Sequence, residues 1–316
     1  MGAVLAFTLA SGVGVQAKSP EELAKVTRVS QAEFETLRPA DEATLEQKRE
    51  VIGDILLDAG VPEFMVEKMD GDMLESLYKC PGFEVQIEYS QEEPDGTLKR
   101  ISSEQYGKIR SYNSKIRNNK LYNRNSIIRA QTNGVETGTS NGEINNLLLL
   151  LIVGAASPGQ DRLCVALAGW EYPPLIRGRD FIGIYTGEPK VKYKTALATL
   201  AYTEQHLETA TTTDHAIEYP YKGEDFLDDL HGVGRNIQLP ADRTIPGTLP
   251  GESKSHVCTD IMLGIRTYAE VPVGGSVLAN YYHKIFTFGQ IGIGDSGFSA
   301  SPMISYSDSQ VAVNAS

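Results

Sequence analysis

Five histidines are the residues of this sequence best suited to acid–base or metal chemistry, and all lie in its C-terminal half. They are His206, His215, His231, His256 and His283. Imidazole titrates near neutral pH, and its unprotonated nitrogen is a ligand of Zn²⁺. A zinc site that includes His231 needs a second histidine nearby. The only near candidate for it in the sequence is Asp214-His215. Asp214, His215 and Ser296 have the residue types of a hydrolase site with an acid, a base and a nucleophile. Only the residue types support this hypothesis.

The densest group of oxygen ligands consists of Asp225, Asp228 and Asp229, with Glu224 and His231 beside them. Carboxylate oxygens in loops of extracellular β proteins are typical ligands of Ca²⁺. We therefore predict the three aspartates as candidate calcium ligands. The alternative is a solvated acidic turn before the next strand. The sequence predicts no other cofactor.

A basic segment between Lys99 and Arg129 is the sharpest change of composition in the chain. It holds nine Lys or Arg residues and one acidic residue, Glu104. Such a segment is typical of a solvated helix or linker surface, or of a patch that binds an anionic polymer. The candidate polymer-binding residues are Lys108, Arg110, Lys115, Arg117, Lys120 and Arg124.

The tetrapeptide Gly294-Asp295-Ser296-Gly297 has the same letters as the nucleophile motif of chymotrypsin-like proteases. The residues that follow are Phe298-Ser299, whereas that family has Gly-Pro. No upstream histidine has the small neighbours that the family shows. We interpret the tetrapeptide as a glycine-rich turn between strands.

The composition is that of an ordinary globular protein, with 41% hydrophobic and 22% charged residues among 316. A net charge of −12 argues against a nucleic-acid binder, because the field of the molecule repels a polyanion. The three cysteines cannot form a closed set of disulfides. One Cys164–Cys258 bridge and three free buried thiols both remain open.

Residues 1–17 are predicted to be a signal peptide. The stretch is uncharged and apolar, and Val15-Gln16-Ala17 provides the small residues that signal peptidase requires before Lys18. A basic start is missing from this pattern. The later run LLLLLIVGAA from Leu147 is about half as long as a membrane-spanning helix, so no transmembrane anchor is predicted. We expect a secreted or extracellular protein associated with the cell surface.

Three further segments follow the signal peptide. Residues 18–82 have helical periodicity, with a helix from about Asp41 that ends at Gly60. Residues 83–140 are predicted to form a β-hairpin followed by a basic polar linker. Residues 141–316 have a period of two, with short turns and no alternating helices. The predicted fold class is mainly β: an antiparallel β-sandwich preceded by a small α-helical N-terminal region.

The clearest predicted hairpin joins Val257–Ala269 to Val277–Phe288 through Gly274-Gly275. Both runs alternate, and the two glycines suit a tight turn. Another hairpin is predicted between the strands Leu147–Val153 and Leu163–Trp170.

Several segments resemble exported β-rich proteins, without an assigned function, of Gram-positive gut bacteria of the Firmicutes type. The segments are the signal-like start, LLDAGVPEFMVEKMDGDMLESLYK, CVALAGWEYPPLIRGRDFIGIY and GVGRNIQLP. The resemblance covers most of the chain through loose motifs. It implies a secreted, β-rich protein and carries over no catalytic residue.

We expect an exported, surface-exposed binding or structural module, with a component of the cell wall or of a host surface as its partner. One alternative is a secreted hydrolase with its site in the β domain. Another is a secreted pore-forming toxin that inserts the threonine-rich strand Thr209–Thr213 as part of an amphipathic hairpin.

Overall fold

The computed structural model describes residues 27–29, 44–127, 144–155, 160–174, 177–187, 190–207, 209, 211–246, 253–284, 291–294, 297–300 and 306–314. The predicted signal peptide, 1–17, and the candidate nucleophile Ser296 lie outside these residues. In the described part of the chain, no helix is both long and apolar enough to cross a membrane.

Four helices lie in the N-terminal part of the described chain: α1 (Leu45–Asp58), α2 (Glu63–Glu67), α3 (Gly71–Lys79) and α4 (Ser103–Ile127). Thr44 and Gln47 form a capping box at the start of α1, in which each side chain accepts a hydrogen bond from the other residue's backbone N–H. The Asp70 side chain caps α3. Gly60 adopts a φ of 96° just after α1, which confirms the predicted helix end.

Sixteen strands are described: β1 (Thr27–Val29), β2 (Phe83–Glu92), β3 (Leu98–Ile101), β4 (Asn146–Gly154), β5 (Arg162–Tyr172), β6 (Arg179–Thr186), β7 (Leu197–His206), β8 (Thr211–Pro220), β9 (Phe226–Asp228), β10 (Gly232–Gln238), β11 (Arg243–Pro246), β12 (Ser253–Ala269), β13 (Ser276–Lys284), β14 (Ile291–Gly294), β15 (Gly297–Ala300) and β16 (Tyr306–Asn314). A nine-stranded sheet has the order β1-β2-β4-β5-β12-β7-β8, with β3 beside β2 and β11 beside β12. A five-stranded sheet has the order β16-β13-β6-β10-β9, and β14 pairs with β15.

The two larger sheets pack face to face, which confirms the predicted antiparallel β-sandwich. Their shared core contains, for example, Leu149 and Trp170 of the nine-stranded sheet and Ile184 and Val277 of the five-stranded sheet. Every pair of strands is antiparallel in the described part of the chain. Alternation with a period of two produces this core because successive side chains on a strand point to opposite faces.

The N-terminal helices cover the other face of the nine-stranded sheet. Leu56 and Met65 of this layer belong to one buried cluster with Leu148 and Leu150 of β4. All nine residues of β4 are therefore buried, since helices lie on one face and the second sheet on the other. This explains why β4 is a continuous apolar run, whereas a strand with one wet face alternates.

The helical layer and the sheet approach closely at Gly169. A Cβ atom at this position would lie 2.6 Å from Sδ of Met65. A larger residue at Gly169 would therefore have to displace the Met65 side chain.

The hairpin predicted between Val257–Ala269 and Val277–Phe288 is wrong in its pairing. β12 pairs with β5 and β7, while β13 pairs with β6 and β16 in the other sheet. The residues around Gly274 therefore carry the chain from one sheet to the other. Each strand was predicted from its own alternation, but alternation does not specify the partner. The predicted pairing of β4 with β5 is confirmed.

The segment predicted as a hairpin and basic linker forms β2, β3 and α4. β2 pairs with β4 as well as with β3, so the hairpin belongs to the large sheet. The polar face of β2 is buried as well, and the backbone N–H of Gln310 donates to Glu88 across the sandwich. The division of the chain into domains stays a prediction.

Candidate functional site

The sandwich has an open end where β7, β8, β11 and β12 extend past the shared core. β12 is long enough to pair with β5 through its second half and with β11 through Ser253 to His256. On its other side it pairs with β7, with a bulge between Cys258 and Asp260. A bulge redirects the side chains that follow it, and such features often lie at the rim of a sheet.

Four polar side chains meet at this end: Glu204 and His206 of β7, His256 of β12 and His215 of β8. Glu204 and His206 are two residues apart and share one face of β7. His256 is the direct strand partner of His206, and His215 pairs with Tyr202. We call these four residues the histidine cluster.

The Glu204 carboxylate lies at the centre of the histidine cluster. Arg243 of β11 donates to it twice, from Nε to Oε1 and from Nη2 to Oε2, each over 2.9 Å. Nδ1 of His256 lies 3.2 Å from Oε2, and Nε2 of His215 lies 3.5 Å from the same oxygen. The rings of His206 and His256 meet edge to face, with centroids 4.1 Å apart.

Glu204 carries a permanent negative charge at physiological pH. Burial alone raises the pKa of this carboxyl, but the hydrogen bonds from Arg243 and His256 and their charges lower it to about 2. The result is a buried anion that contacts imidazole nitrogens and a guanidinium.

A second network lies on the helix-facing side of the same strands. Nζ of Lys68, which follows α2, is 2.5 Å from Thr203 Oγ1, 2.8 Å from Asp260 Oδ1 and 3.5 Å from Asp214 Oδ1. Asp214 and His215 therefore have partners on opposite faces of β8, as expected for consecutive residues of a strand. Asp214 and His215 therefore do not form the Asp–His pair that a hydrolase with Asp214, His215 and Ser296 would need.

Strand β8 is the last strand of the nine-stranded sheet and is open to solvent on both faces. It pairs with β7 over ten residues in an unbroken register. Eight of those residues are exposed, and His215 and Tyr219 are half-buried. In the described part of the chain, no strand lies on the other side of β8.

Another histidine, His283, lies in the core between the sheets. Its Nδ1 is 3.0 Å from Asp180 Oδ2, and its Nε2 is 3.4 Å from Glu92 Oε1. Tyr281 also donates to Asp180 and accepts from the indole N–H of Trp170 over 2.9 Å. Although burial lowers the pKa of His283, the charge of Asp180 and the contacts with both carboxylates raise it to about 9.

The predicted calcium ligands have separate partners. Asp225 lies 3.5 Å from Arg235, and Asp229 accepts from the backbone N–H groups of His231 and Gly232. The Asp228 carboxylate accepts a hydrogen bond from the Tyr221 hydroxyl. The pKa of Tyr221 is raised, mainly by desolvation, and the charge and hydrogen bond of Asp228 raise it further. The three carboxylates are not among the groups that could share one metal ion in the described structure. In this structure the three aspartates lie in an acidic turn, and each has a local partner.

The basic segment forms most of α4, which begins with a Ser102–Gln105 capping box. Arg110 pairs with Glu171 over 3.1 Å, and Lys108 pairs with Glu104 along the helix over 2.7 Å. Lys115 is exposed. The side-chain surroundings of Arg117, Lys120 and Arg124 lie outside the described part of the structure.

The three cysteines are free thiols, so the Cys164–Cys258 bridge does not form. Burial raises the pKa of Cys80 to about 11 and the pKa of Cys164 and Cys258 to about 12. Buried thiols with raised pKa values are poor nucleophiles and poor metal ligands at neutral pH.

Sequence reasoning treated each histidine singly and so missed the histidine cluster. The spacing of Glu204 and His206 was a local signal, since residues two apart on a strand share a face. No sequence signal placed His256 beside them, because that contact depends on the partner of β12.

Comparisons with known proteins assign no family. No protein-family model matches the chain, and no curated protein matches it. Solved structures that it is similar to include the Clostridium perfringens delta-toxin, at 10% identity over 56% of this chain and 85% of the toxin, with a TM-score of 0.19. The Clostridium perfringens NetB toxin in the membrane-inserted form is similar at 9% identity, over 57% of this chain and 94% of that one, with a TM-score of 0.19. Likeness at this level supports no argument about function.

Proposed function

We propose that this chain is an exported binding module that adds an extended segment of a partner protein to its large sheet, along the free edge of β8. The exposure of β8 on both faces, together with its unbroken ten-residue register, is the observation that carries the proposal. The uncharged, apolar start of the sequence supports export.

An edge strand has a row of backbone N–H and C=O groups that can pair with another chain. Proteins usually protect such edges with bulges, with prolines inside the strand, with very short strands or with charged side chains, and of these β8 has the carboxylates of Asp214 and Glu218. β8 has no bulge, and its proline, Pro220, is its last residue. An extended peptide that adds to such an edge gains its affinity from main-chain hydrogen bonds.

The side chains of β8 indicate a basic partner. Asp214 and Glu218 lie on one face of the strand, and both are exposed. The net charge of −12 also attracts a basic partner, over a longer range than these two side chains. Complementary charge speeds association and selects the partner, while the backbone supplies the contact.

The binding test uses a synthetic peptide of alternating threonine and lysine that matches β8 in length. We expect fluorescence anisotropy to show binding that weakens at high salt, and hydrogen exchange to show new protection in β8. Glu218→Lys should weaken binding about fivefold, a change equivalent to one surface ion pair. Glu224→Lys is the matched control, because Glu224 is exposed and lies outside β8.

Two peptide controls distinguish backbone pairing from general charge attraction. A peptide of threonine and glutamate should not bind, and a central proline in the lysine peptide should abolish binding because proline has no N–H to donate. Equal binding of all three peptides would overturn the proposal. So would light scattering that shows a dimer sensitive to β8 substitutions, since a second copy would then occupy the edge.

Export is tested separately. The full gene is expressed in a Gram-positive host, and the N-terminus of the protein in the medium is sequenced. We expect the mature chain to begin at Lys18. Retention of Met1, or a protein found only inside the cells, would contradict export.

A further inference from the structure

We propose that the histidine cluster is a binding site for a transition-metal ion of the Zn²⁺ class, held by Glu204, His206 and His256, and that the ion replaces Arg243 on the Glu204 carboxylate. This site is independent of the peptide edge in the proposed function, although the two share β8 through His215.

The donor atoms are already close together. One oxygen of Glu204 and one ring nitrogen each of His206 and His256 lie within 4.8 Å of one another, and this is the only such group in the described residues. Ligands of a tetrahedral zinc ion lie about 2.0–2.2 Å from the metal. All three side chains are on two adjacent, hydrogen-bonded strands, so coordination requires rotation of the side chains and no change in the strand pairing.

His256 provides an independent observation that points to a ligand. The side chain is only 6% exposed, and its Nε2 has no hydrogen-bond partner in the described structure. A buried polar atom without a partner is unfavourable by about 1–3 kcal/mol, so such an atom in a native protein requires an explanation. A metal ion provides one, because it binds the lone pair of a ring nitrogen of His256.

The chemistry of the donors selects the class of ion. Imidazole nitrogens with one carboxylate suit Zn²⁺, Ni²⁺ or Cu²⁺, whereas Ca²⁺ and Mg²⁺ require mostly oxygen ligands. His215 lies outside this group of three, but its Nε2 is 3.5 Å from the same carboxylate oxygen and has no hydrogen-bond partner in the described residues, so it is the candidate for a fourth ligand. The cysteine nearest in sequence to these ligands is Cys258, and its thiol donates to the backbone carbonyl of Asp260.

Arg243 occupies the carboxylate in the absence of metal. Its guanidinium satisfies both oxygens of Glu204, and its side chain is 56% exposed. The arginine can therefore move into solvent without leaving a buried charge, while the ion takes over neutralisation of the carboxylate. Arg243 then acts as a competitor that lowers the affinity for the metal.

The experiment is a titration of the purified full chain with Zn²⁺ against a chromophoric chelator, together with Co²⁺ absorption spectroscopy. We expect one ion per chain and visible cobalt bands of four-coordinate geometry, without the near-ultraviolet band of a thiolate ligand. His206→Ala, on a half-buried side chain, should weaken binding at least about tenfold, as should His256→Gln. Arg243→Met should strengthen binding about tenfold because it removes the competitor.

His231→Ala is the matched control, since His231 lies near Asp229 and outside the cluster. Thermal unfolding of every variant without metal verifies folding, and Zn²⁺ should raise the unfolding temperature of the wild type but not of His206→Ala. The proposal is overturned by the absence of stoichiometric binding, by equal affinity of wild type and His206→Ala, or by weaker binding in Arg243→Met.

Discussion

The molecule contains two histidine–carboxylate clusters that differ in how their charges are balanced. In the core, His283 lies between Asp180 and Glu92, and all three side chains are fully enclosed. At the open end, three histidines share the single carboxylate of Glu204, whose charge Arg243 already neutralises. The core histidine is therefore held as a cation that stabilises the fold, while the histidines at the end keep nitrogen atoms that can accept a ligand.

Removal of one charge from the core cluster should have the largest effect. Asp180→Asn leaves the Tyr281 hydroxyl without its anionic partner and leaves His283 with Glu92 alone, in the buried core. We expect the free energy of unfolding to fall by about 3–5 kcal/mol, as when a buried ion pair loses one member. Urea unfolding followed by the fluorescence of Trp170, the only tryptophan, measures the change. The control is Asp225→Asn, which removes an exposed carboxylate; equal losses in both variants would contradict the comparison.

Alkaline pH should weaken the core cluster next most strongly. The folded-state pKa of His283, about 9, lies above the ordinary value of 6.5. Its contribution is therefore complete below pH 6.5 and is lost as the pH rises through about 9. We expect a loss of about 3 kcal/mol over this range in urea unfolding at stepped pH. His283→Leu should be nearly insensitive to pH below 8.5, and a wild-type curve that rises with pH would show that the proton is not held.

Loss of the carboxylate at the open end should have a smaller effect. Glu204→Gln removes the charge that Arg243 and His256 contact, and we expect a loss of about 1–3 kcal/mol at pH 7. Because the folded-state pKa of Glu204 is depressed to about 2, its contribution is present above pH 4.5 and lost as the pH falls through 2. The difference between wild type and variant should therefore shrink between pH 4.5 and 2. A constant difference would indicate that packing, and not charge, is responsible.

The smallest effect is expected at the exposed strand. His215→Ala removes a half-buried ring that stacks on Tyr202 with centroids 4.5 Å apart. We expect a change within about 0.5 kcal/mol, as for most surface substitutions. Thermal unfolding and circular dichroism check this value. A loss as large as that in Glu204→Gln would mean that β8 is part of the cooperative core, which would weaken its interpretation as an open edge.

The candidate site was predicted less well than the fold, for a physical reason. Alternation identified β12 because burial of one face leaves a local pattern in the sequence. The contact between His206 and His256 joins residues fifty positions apart, and it exists because β12 pairs with β7 and not with β13. The predicted calcium ligands, which are neighbours in sequence, have separate local partners at Arg235, Tyr221 and the backbone.

The sequence by itself determined the antiparallel, mainly β architecture, the end of α1 at Gly60 and the pairing of β4 with β5. These features depend on periodicity and on turn residues, which act over a few positions. Only the tertiary structure decided which strands share a sheet, that helices cover the second face of β4, and which histidines meet a carboxylate. Those outcomes depend on packing between segments distant in sequence, where many pairings satisfy the same local pattern and burial of the whole chain selects one.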